Sequence, residues 1–580
     1  MPDTTPHSQD SAPLTSHAAL VGHRLLSLGL ISRDQLDAAL AVKARSTRML
    51  GSILVDLGFI TEDALCAVLS EGMGLDRFNP TGTLLDAETA RRLPKQLALS
   101  CRVLLLSQTQ TTAEVAMVDP YDVLAIDQVR RHLPAQVQVV PRVCTAADMA
   151  QAIDQAYGHE MSIDGILREL RNGTDHFARS TGEEGYTHPV VRLAHAILLD
   201  AVKQGASALH FEPEDLFLRL RYRIDGALHQ IRAFHKDFWP PLAHRLKTLA
   251  GLTDTLSPQD GRFSLNLGSR SMEFRAAALD TIQGENIVLH VVDKSKSVKS
   301  LADLGFSGRS RLRLDQALKR PEGIIIVTGP GGSGKTTSLY AMLSRVNRVD
   351  VNLMTLEAGV EHRLPLIRQT EIRDQSGLPA AEGVRALLRQ HPDILFIDEL
   401  RDPGTAQMAL HAAMSGHQVF TTLDANDAIS AFARLLDLGL KPGLLAGNII
   451  GIVAQRLVRT LCTRCRRERP ATQEECRLLG ISAETPPRLY DATGCPECHH
   501  TGYRGRVAVS ELILVDEDVD DAIARGADRA ELRRILPRTG FRPMREEGLE
   551  KVLAGEISLE SLGRAIDLTP LLRQVETGTR

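Results

Sequence analysis

The stretch GPGGSGKTT, residues 329–337, has the residue types and the spacing of a phosphate-binding loop. An apolar run precedes it, Gly323 to Val327, and a segment with helical spacing follows it, Ser338 to Val346. A strand, a glycine loop and a helix in this order are the structural context that the motif requires. Glycines let successive backbone N–H groups converge on phosphate oxygens, and the helix N-terminus adds positive potential. The sequence therefore predicts a nucleoside triphosphate site.

Each residue of this loop is a candidate for that site. Lys335 is expected to reach the β- and γ-phosphates of ATP, and the Thr336 hydroxyl to ligate Mg²⁺. The other candidates for cofactor binding are Gly329, Pro330, Gly331, Gly332, Ser333, Gly334 and Thr337. The alternative, a glycine-rich turn with a surface lysine, does not account for the flanking strand and helix.

Two further strands are predicted to end in acidic residues. The segment VDVNLMTLEAGVEH contains Glu357 and Glu361, and the apolar strand in HPDILFIDEL ends at Asp398 and Glu399. An apolar strand that ends in acidic residues places carboxylates at the carboxyl edge of a sheet. Beside a phosphate loop, such carboxylates can hold Mg²⁺ or orient an attacking water molecule.

Four cysteines form two CxxC pairs. Cys462 and Cys465 make the first pair, Cys495 and Cys498 make the second, and 29 residues lie between the pairs. Each pair brings two thiolates into one tight turn, so two pairs predict a tetrahedral zinc site. The alternative is a redox dithiol. Cys476, which lies between the pairs, is expected to be a bystander.

Composition sets the broad class of the chain. Its 580 residues predict roughly three to five domains, and 43% hydrophobic with 24% charged residues is ordinary for globular proteins. The net charge of −4 gives no electrostatic case for a nucleic-acid partner. No apolar stretch is long enough to span a membrane. The polar N-terminus lacks a signal pattern, and eight cysteines do not suggest a secreted disulfide framework, so a cytosolic compartment is expected.

A repeat stands near the N-terminus. Residues 25–40 read LLSLGLISRDQLDAAL and residues 54–69 read LVDLGFITEDALCAVL, with matching landmarks offset by 29 residues. Each copy is predicted to form a helix, a turn at the glycine, and a second helix. Both copies together indicate a small helical docking module.

The chain carries, in this order, the phosphate loop, an acidic box (357–361), a second acidic strand (394–399) and a histidine box (417–424). In this order of motifs it resembles the type II secretion and type IV pilus assembly ATPases, which are assembly-type members of the secretion ATPase superfamily. The likeness runs from about residue 18 to residue 565 and includes ASALHFEP, YRIDG, PQDGR, RLLDLG, IVAQRLVR and GYRGR. It implies an α/β multidomain fold, in which a RecA-like phosphate-loop ATPase core follows a PAS-like α+β domain and an N-terminal helical-repeat module. The implied segments are a disordered tail (1–17), the N-terminal module (18–158), a linker (159–187), the PAS-like domain (188–295), the ATPase core (296–455), a four-cysteine zinc-binding insertion (456–515) and a C-terminal helical segment (516–580).

The resemblance also implies roles for single residues. Glu361 matches the catalytic glutamate that polarises water, Glu399 the metal-side glutamate, and His417 the histidine box. Arg275, in MEFRAAAL, matches an arginine that faces the γ-phosphate. A second such arginine falls on His290, which is a departure.

Three departures lie in the motor core. The acidic box usually reads Glu-Asp-Pro-Val-Glu, and here Ala358 and Gly359 replace the aspartate and the proline. The second histidine of the histidine box is Asp424, and the glycine usual before the strand-end glutamate is Asp398. The lysine, the threonine and both glutamates are kept, so hydrolysis is still expected.

The two copies of the repeat resemble the tandem motifs of an N-terminal domain found on these ATPases. The versions that bind cyclic di-GMP carry an arginine two residues before the motif glycine and a glutamine at the motif's end. Here these places hold Leu20 and Lys43 in the first copy, and Met49 and Gly72 in the second, with Arg48 one residue out of register. The apolar frame is kept and the polar contacts are not. Protein docking is therefore favoured, and cyclic di-GMP is the alternative ligand.

Taken together, the resemblance implies a cytoplasmic motor, peripheral to the inner membrane, that uses ATP, Mg²⁺ and Zn²⁺. It is expected to form a homo-oligomer, a hexamer, and to act on an inner-membrane platform protein with a docking protein. The zinc insertion favours assembly over retraction. The alternatives are a nucleotide-binding regulatory subunit that hydrolyses weakly or not at all, and a DNA-pumping relative, which the acidic balance disfavours.

Overall fold

The computed structural model describes residues 17–43, 49–80, 82–158, 162–172, 188–255, 257–268, 270–294, 298–372 and 379–569. The chain divides into two compact units, residues 1–295 and 296–580. The expected tail, apart from residue 17, and Arg48 lie outside the described residues. Within the described residues, none of the helices has the length and apolar character that a bilayer crossing requires.

The N-terminal repeat folds as two helix pairs. Gly29 and Gly58 follow the first helix of each pair with φ of 69° and 72°, a left-handed conformation that favours glycine. The apolar spacing of each copy closes a shared core around Leu25 and Leu54, both fully buried. The helices are α1 (His17–Ser27), α2 (Arg33–Lys43), α3 (Leu50–Asp56) and α4 (Glu62–Met73).

A three-stranded sheet follows. Strand β1 (Val103–Gln108) pairs antiparallel with β2 (Thr112–Met117), which pairs in parallel with β3 (Gln138–Val143). The accompanying helices are α5 (Ala87–Ala90), α6 (Lys95–Cys101), α7 (Val123–Arg130) and α8 (Ala146–Gly158).

Within the segment expected to be a linker, Ile163–Asn172 forms helix α9. Ile163, Ile166 and Leu170 share a buried apolar cluster with the next helix, α10 (Pro189–Lys203). Sequence reasoning missed α9 because its apolar side contacts a partner that lies beyond residues 173–187, which are outside the described part of the chain.

An antiparallel six-stranded sheet forms the rest of this unit, in the order β6-β5-β4-β9-β8-β7. Alternating apolar residues cover the face on which α10 and α11 (Trp239–Ala250) pack. The strands are β4 (Ala206–Pro213), β5 (Phe217–Ile224), β6 (Ala227–His235), β7 (Gln259–Leu267), β8 (Arg270–Thr281) and β9 (Gly284–Asp293).

The second unit is built on a seven-stranded sheet in the order β12-β11-β13-β14-β10-β15-β18, parallel except for β18. Three of its parallel strands are buried along their whole length, as strands covered on both faces must be. Its strands are β10 (Gly323–Thr328), β11 (Leu353–Glu357), β12 (Arg368–Glu371), β13 (Ile394–Glu399), β14 (Gln418–Leu423), β15 (Ile449–Leu461) and β18 (Tyr503–Leu514).

Helices cover both faces of this sheet. Those before and between the parallel strands are α12 (Gly308–Ala317), α13 (Lys335–Val346), α14 (Ala380–Leu388), α15 (Pro403–Met414), α16 (Ala428–Asp437) and α17 (Pro442–Leu445). The C-terminal segment adds α19 (Glu517–Ala524), α20 (Arg529–Ile535), α21 (Met544–Leu553) and α22 (Leu559–Ala565), whose apolar residues share the core of the sheet.

The boundaries drawn for the cysteine insertion differ from the structure. Strand β15 runs through residues 455–456, and β18 returns beside it from Leu514 at Gly451 to Tyr503 at Leu461. Both strands are part of the main sheet, so only residues 462–502 stand outside it. These contain the hairpin of β16 (Arg467–Pro470) and β17 (Arg488–Asp491), with α18 (Gln473–Leu479) between its strands.

Candidate nucleotide site and metal centre

The phosphate loop connects the carboxyl end of β10 to the N-terminus of α13. Gly329 has φ of 152°, and a Cβ there would lie 2.5 Å from the carbonyl oxygen of Gln455. Gly334 is the N-cap of α13 with φ of 87°, and no side chain among the described residues caps this helix. Its first N–H groups are therefore available to an anion, at the positive end of the helix dipole. The loop fits a polyphosphate.

Gln455 is a residue of this site that sequence reasoning missed. It is fully buried on β15, where its Nε2 donates to the Ser333 carbonyl at 2.8 Å and its Oε1 accepts from the Ser338 hydroxyl at 2.8 Å. One amide thus joins the loop to the first turn of α13. The available signal was a glutamine inside the apolar run IIGIVAQ.

Lys335 is held by two protein groups. Its amine donates to the Gly329 carbonyl at 2.7 Å and forms an ion pair with Asp424. Asp424 directly follows β14, which neighbours β10 in the sheet. The hydrogen bond from Lys335 lowers the pKa of Asp424 against the effect of desolvation, so the carboxylate is charged at neutral pH. The pairing follows from strand order, which the sequence does not give.

Asp398 and Glu399 end β13 on the other side of β14. Asp398 Oδ2 accepts the backbone N–H of Ala358 at 3.2 Å, and Glu399 Oε2 accepts from Arg401 Nε at 2.5 Å. Both carboxylates are half-buried, and Glu399 also interacts with Asp424. The structure therefore brings Lys335, Glu399 and Asp424 together at one edge of the sheet, where a triphosphate with Mg²⁺ fits the donor set.

The two glutamates of the acidic box occupy different environments. Glu357, at the end of β11, is 1% exposed and accepts a hydrogen bond from the hydroxyl of Tyr340. Glu361 is half-buried on the loop that follows β11, and its backbone N–H donates to the same hydroxyl at 3.4 Å. Of these two glutamates, only Glu361 has a side chain that water can reach.

The four cysteines predicted to bind zinc converge. The sulfur atoms of Cys462, Cys465, Cys495 and Cys498 all lie within 4.8 Å of one another. Separations of 3.9 Å, 3.8 Å and 3.7 Å join three of the sulfur pairs. Sulfur atoms about 2.3 Å from a central Zn²⁺ in a tetrahedron are separated by about 3.8 Å, so the cluster fits that ion.

Backbone donors support the thiolate form of one ligand. Desolvation would raise the pKa of Cys498, but the N–H groups of Cys495 and Gly502, each 3.2 Å from its sulfur, contribute to lowering it to about 6. A thiolate is the form that binds a metal. Cys476 is buried on α18 in the apolar core and is a bystander, as predicted.

Comparison with known proteins gives a consistent result. A family model described as Type II/IV secretion system protein matches residues 183–564, and a model of the MshEN domain matches residues 73–163. The chain belongs to the type II/IV secretion system protein family.

Two of the curated relatives are matched over nearly their whole length. Type II secretion system protein E of Dickeya dadantii (strain 3937) is 37% identical over 487 residues, which cover 81% of this chain and 96% of the relative. The type IV pilus assembly ATPase PilB of Myxococcus xanthus (strain DK1622) is 33% identical over 562 residues, 93% and 98% of the two chains. Among solved structures, the Legionella pneumophila ATPase DotB aligns with a TM-score of 0.48 at 21% identity, over 64% of this chain and 94% of its own.

One expected residue of this secretion-system chain does not join the cluster at Lys335. His417 precedes β14, whose six residues at about 3.3 Å each put it about 20 Å from the carboxyl edge. Its backbone carbonyl accepts the N–H of Gly323 at 3.1 Å, at the opposite edge of the sheet. The two positions of the histidine box therefore lie at opposite ends of β14: His417 is at the far end, and Asp424 is at the end beside the phosphate loop.

The residues matched to γ-phosphate arginines lie in the first unit. Arg275 on β8 donates to Glu273 Oε1 at 2.9 Å and is paired in register with His290 on β9. Desolvation, followed by the charges of Arg275 and Arg223, lowers the pKa of His290. This position of the secretion-system chain therefore carries no positive charge at neutral pH.

Proposed function

We propose that the chain is an ATP-hydrolysing motor that powers assembly of a type IV pilus or of a type II secretion pseudopilus. The observation that carries the proposal is the grouping of the Lys335 amine with the carboxylates of Glu399 and Asp424 at the end of the phosphate-loop strand. Relatives named type II secretion system protein E and PilB support the choice of machine.

The proposed reaction is in-line attack of water on the γ-phosphate of ATP. Backbone N–H groups within residues 331–337 and the Lys335 amine would hold the phosphates, and the Thr336 hydroxyl would ligate Mg²⁺. When bound, Mg²⁺ supplies positive charge to the phosphate oxygens. Glu399 would be the glutamate on the side of the metal ion, and Glu361 would orient and polarise the water. Because Lys335 is paired with Asp424, nucleotide binding must exchange that carboxylate for phosphate oxygens.

Magnesium-dependent phosphate release by the zinc-loaded oligomer tests this proposal. We expect turnover in the parent and none in Lys335→Ala or Glu399→Gln, since each variant loses a group that stabilises the transition state. Tight ATP binding without turnover, even with a platform protein added, would overturn the motor proposal.

A second candidate function is a nucleotide-sensing subunit of the same machine. The Lys335–Asp424 ion pair favours it, because that pair competes with phosphate, and so do Ala358 and the uncharged His290. In this case the chain binds ATP and its partners respond, while phosphate release stays at the level of Lys335→Ala.

The proposed assembly is a homo-hexamer in the cytoplasm, peripheral to the inner membrane, that rotates its domains against a platform protein. The four-cysteine cluster is proposed to hold structural Zn²⁺. Arg275 is proposed to serve the γ-phosphate in the assembled oligomer, by resemblance alone.

The N-terminal repeat is proposed to bind the docking protein of the machine. Leu28 and Leu57, which occupy equivalent positions in the two copies, are 51% and 41% exposed and offer matching apolar contacts. Cyclic di-GMP is the alternative ligand. Calorimetric titration separates the two, because heat from cyclic di-GMP at micromolar concentration would contradict the docking assignment.

A further inference from the structure

Glu357 is a carboxylate of the acidic box that the proposed chemistry does not use. The Tyr340 hydroxyl donates to its Oε2, and Thr355 Oγ1 donates to its Oε1 at 2.5 Å. Gln369 Nε2 also donates to Oε1, at 3.1 Å. A buried carboxylate with three donors is an anchor for the groups around it, because a metal ion or a water molecule would have to displace them.

Two of these donors also hold the loop that carries Glu361. The Tyr340 oxygen accepts the backbone N–H of Glu361 at 3.4 Å. Gln369 Nε2 donates to the His362 carbonyl at 3.0 Å, and its Oε1 accepts the N–H of Leu364 at 2.8 Å. The loop between β11 and β12 is thus tied at three points to side chains that meet at the buried carboxylate.

Tyr340 belongs to α13, the helix that begins at the phosphate loop. It is 1% exposed, and its ring packs edge-on against Phe396 with 6.4 Å between centroids. A tyrosine hydroxyl has one proton to give and can also accept, which matches its two partners here. Burial, and then the hydrogen bond to Glu357, raise the pKa of Tyr340, so the donor stays protonated throughout the working pH range.

We propose that Tyr340 is a positioning residue for hydrolysis, which sets the place of Glu361 relative to the phosphate loop, with Glu357 and Gln369 as its supports. The proposal rests on the proposed ATPase function, because only hydrolysis makes the position of Glu361 matter. Gly359 gives this loop backbone freedom that the hydroxyl must restrict.

The Tyr340→Phe variant tests this, because it keeps the packed ring and removes only the hydroxyl. We expect kcat to fall about ten-fold, since small misplacements of a catalytic group slow chemistry strongly. The KM for ATP and the Kd for Mg²⁺-ATP are expected to stay within about two-fold, since no nucleotide contact is lost. The double variant Tyr340→Phe/Glu361→Gln is expected to be no slower than Glu361→Gln alone, because both changes remove one function.

Tyr222→Phe is the matched control. Tyr222 is fully buried in the first unit, and its hydroxyl donates to the Asp200 carboxylate at 3.1 Å. Removing its hydroxyl costs the same kind of buried hydrogen bond, about 1 kcal/mol of stability, and Tyr222 belongs to the core of the other compact unit from α13. Thermal unfolding is expected to shift in both tyrosine variants, and kcat only in Tyr340→Phe.

Two results would overturn the proposal. One is a double variant in which the kcat losses of Tyr340→Phe and Glu361→Gln multiply. The other is a Tyr340→Phe variant that binds ATP more weakly and has an unchanged kcat. If the parent does not hydrolyse ATP, the proposed function fails separately, and hydrogen exchange decides the positioning. Amides of residues 359–367 must then exchange faster in Tyr340→Phe than in the parent and in Tyr222→Phe; equal protection would end the proposal.

Discussion

Lys335, the residue expected to bind phosphate, forms an ion pair with Asp424 of the same chain. Its side chain is 15% exposed and that of Asp424 is 59% exposed, so the pair is partly solvated and its strength is modest. Ion pairs of this kind contribute about 0.2–1 kcal/mol, which is a factor of up to about five in an equilibrium constant. A nucleotide that binds Lys335 must break this ion pair, so its binding free energy is less favourable by that amount.

Asp424→Asn should therefore bind ATP about two- to five-fold more tightly than the parent when Mg²⁺ is chelated. Fluorescent-nucleotide titration measures this without turnover. Asp350→Asn is the control, since it removes the same charge from an exposed pair with Arg348. Weaker binding in Asp424→Asn would mean that the carboxylate supports the nucleotide site instead.

The pH dependence of this difference follows from the pKa of Asp424. Because the pKa of Asp424 is lowered, its carboxyl is fully charged at any pH above the ordinary pKa of 3.8. The ion pair is lost only when the pH falls through the lowered pKa. The affinity ratio between parent and Asp424→Asn should consequently be constant from about pH 6 to about pH 8. A ratio that changes across this range would show that another group titrates with the pair.

At the scale of elements, the cysteine segment stands at the ends of β15 and β18, and its four cysteine sulfur atoms lie within 4.8 Å of one another. Cys498→Ser should lower bound zinc from one ion per chain and reduce the thermal stability of the chain, because structural zinc contributes about 10 kcal/mol or more to ordering such segments. Metal analysis by mass spectrometry measures the stoichiometry. Cys476→Ala, a buried change outside the cluster, should keep one zinc ion; zinc loss there would contradict the assignment.

The acidic-box loop is tied to β13 by Asp398, which accepts the N–H of Ala358. This chain lacks the aspartate usual at position 358 and has an aspartate at position 398. We therefore expect that one carboxylate, placed at either position, is enough to connect the acidic-box loop to β13. Asp398→Gly should lower turnover about ten-fold by loosening the loop, and Asp398→Gly/Ala358→Asp should recover most of it. Steady-state phosphate release measures both. An additive loss in the double variant would show that the positions are independent.

Local patterns predicted most elements and the residues on them. The glycine loop, the acidic strand ends and the two CxxC pairs are short motifs whose chemistry depends on spacing, and the structure builds the loop and the cysteine cluster from those residues. Pairing across the sheet was not predictable in the same way. The contact of Lys335 with Asp424, the distance of His417 from the loop, and the role of Gln455 all depend on strand order and direction.

At the scale of the whole molecule, the two compact units carry different parts of the proposed machine. The second holds the nucleotide site and the cysteine cluster, and the first holds the repeat and the antiparallel sheet with Arg275. A motor must couple hydrolysis to motion across such units, and the resemblance implies that a ring of six chains does so. Coupling of ATP hydrolysis between chains can be measured without knowing which pilus or secretion system the protein serves.

Mixing active and inactive chains tests the coupling. In an all-or-none ring of six, replacing one chain in four by Glu399→Gln should leave about a fifth of the activity, because most rings then contain an inactive member. Independent subunits would keep about three quarters, as in the control in which the variant is added after the parent has assembled. Phosphate release across a series of mixtures separates these curves. A linear decline would contradict a concerted ring and leave each chain as its own ATPase.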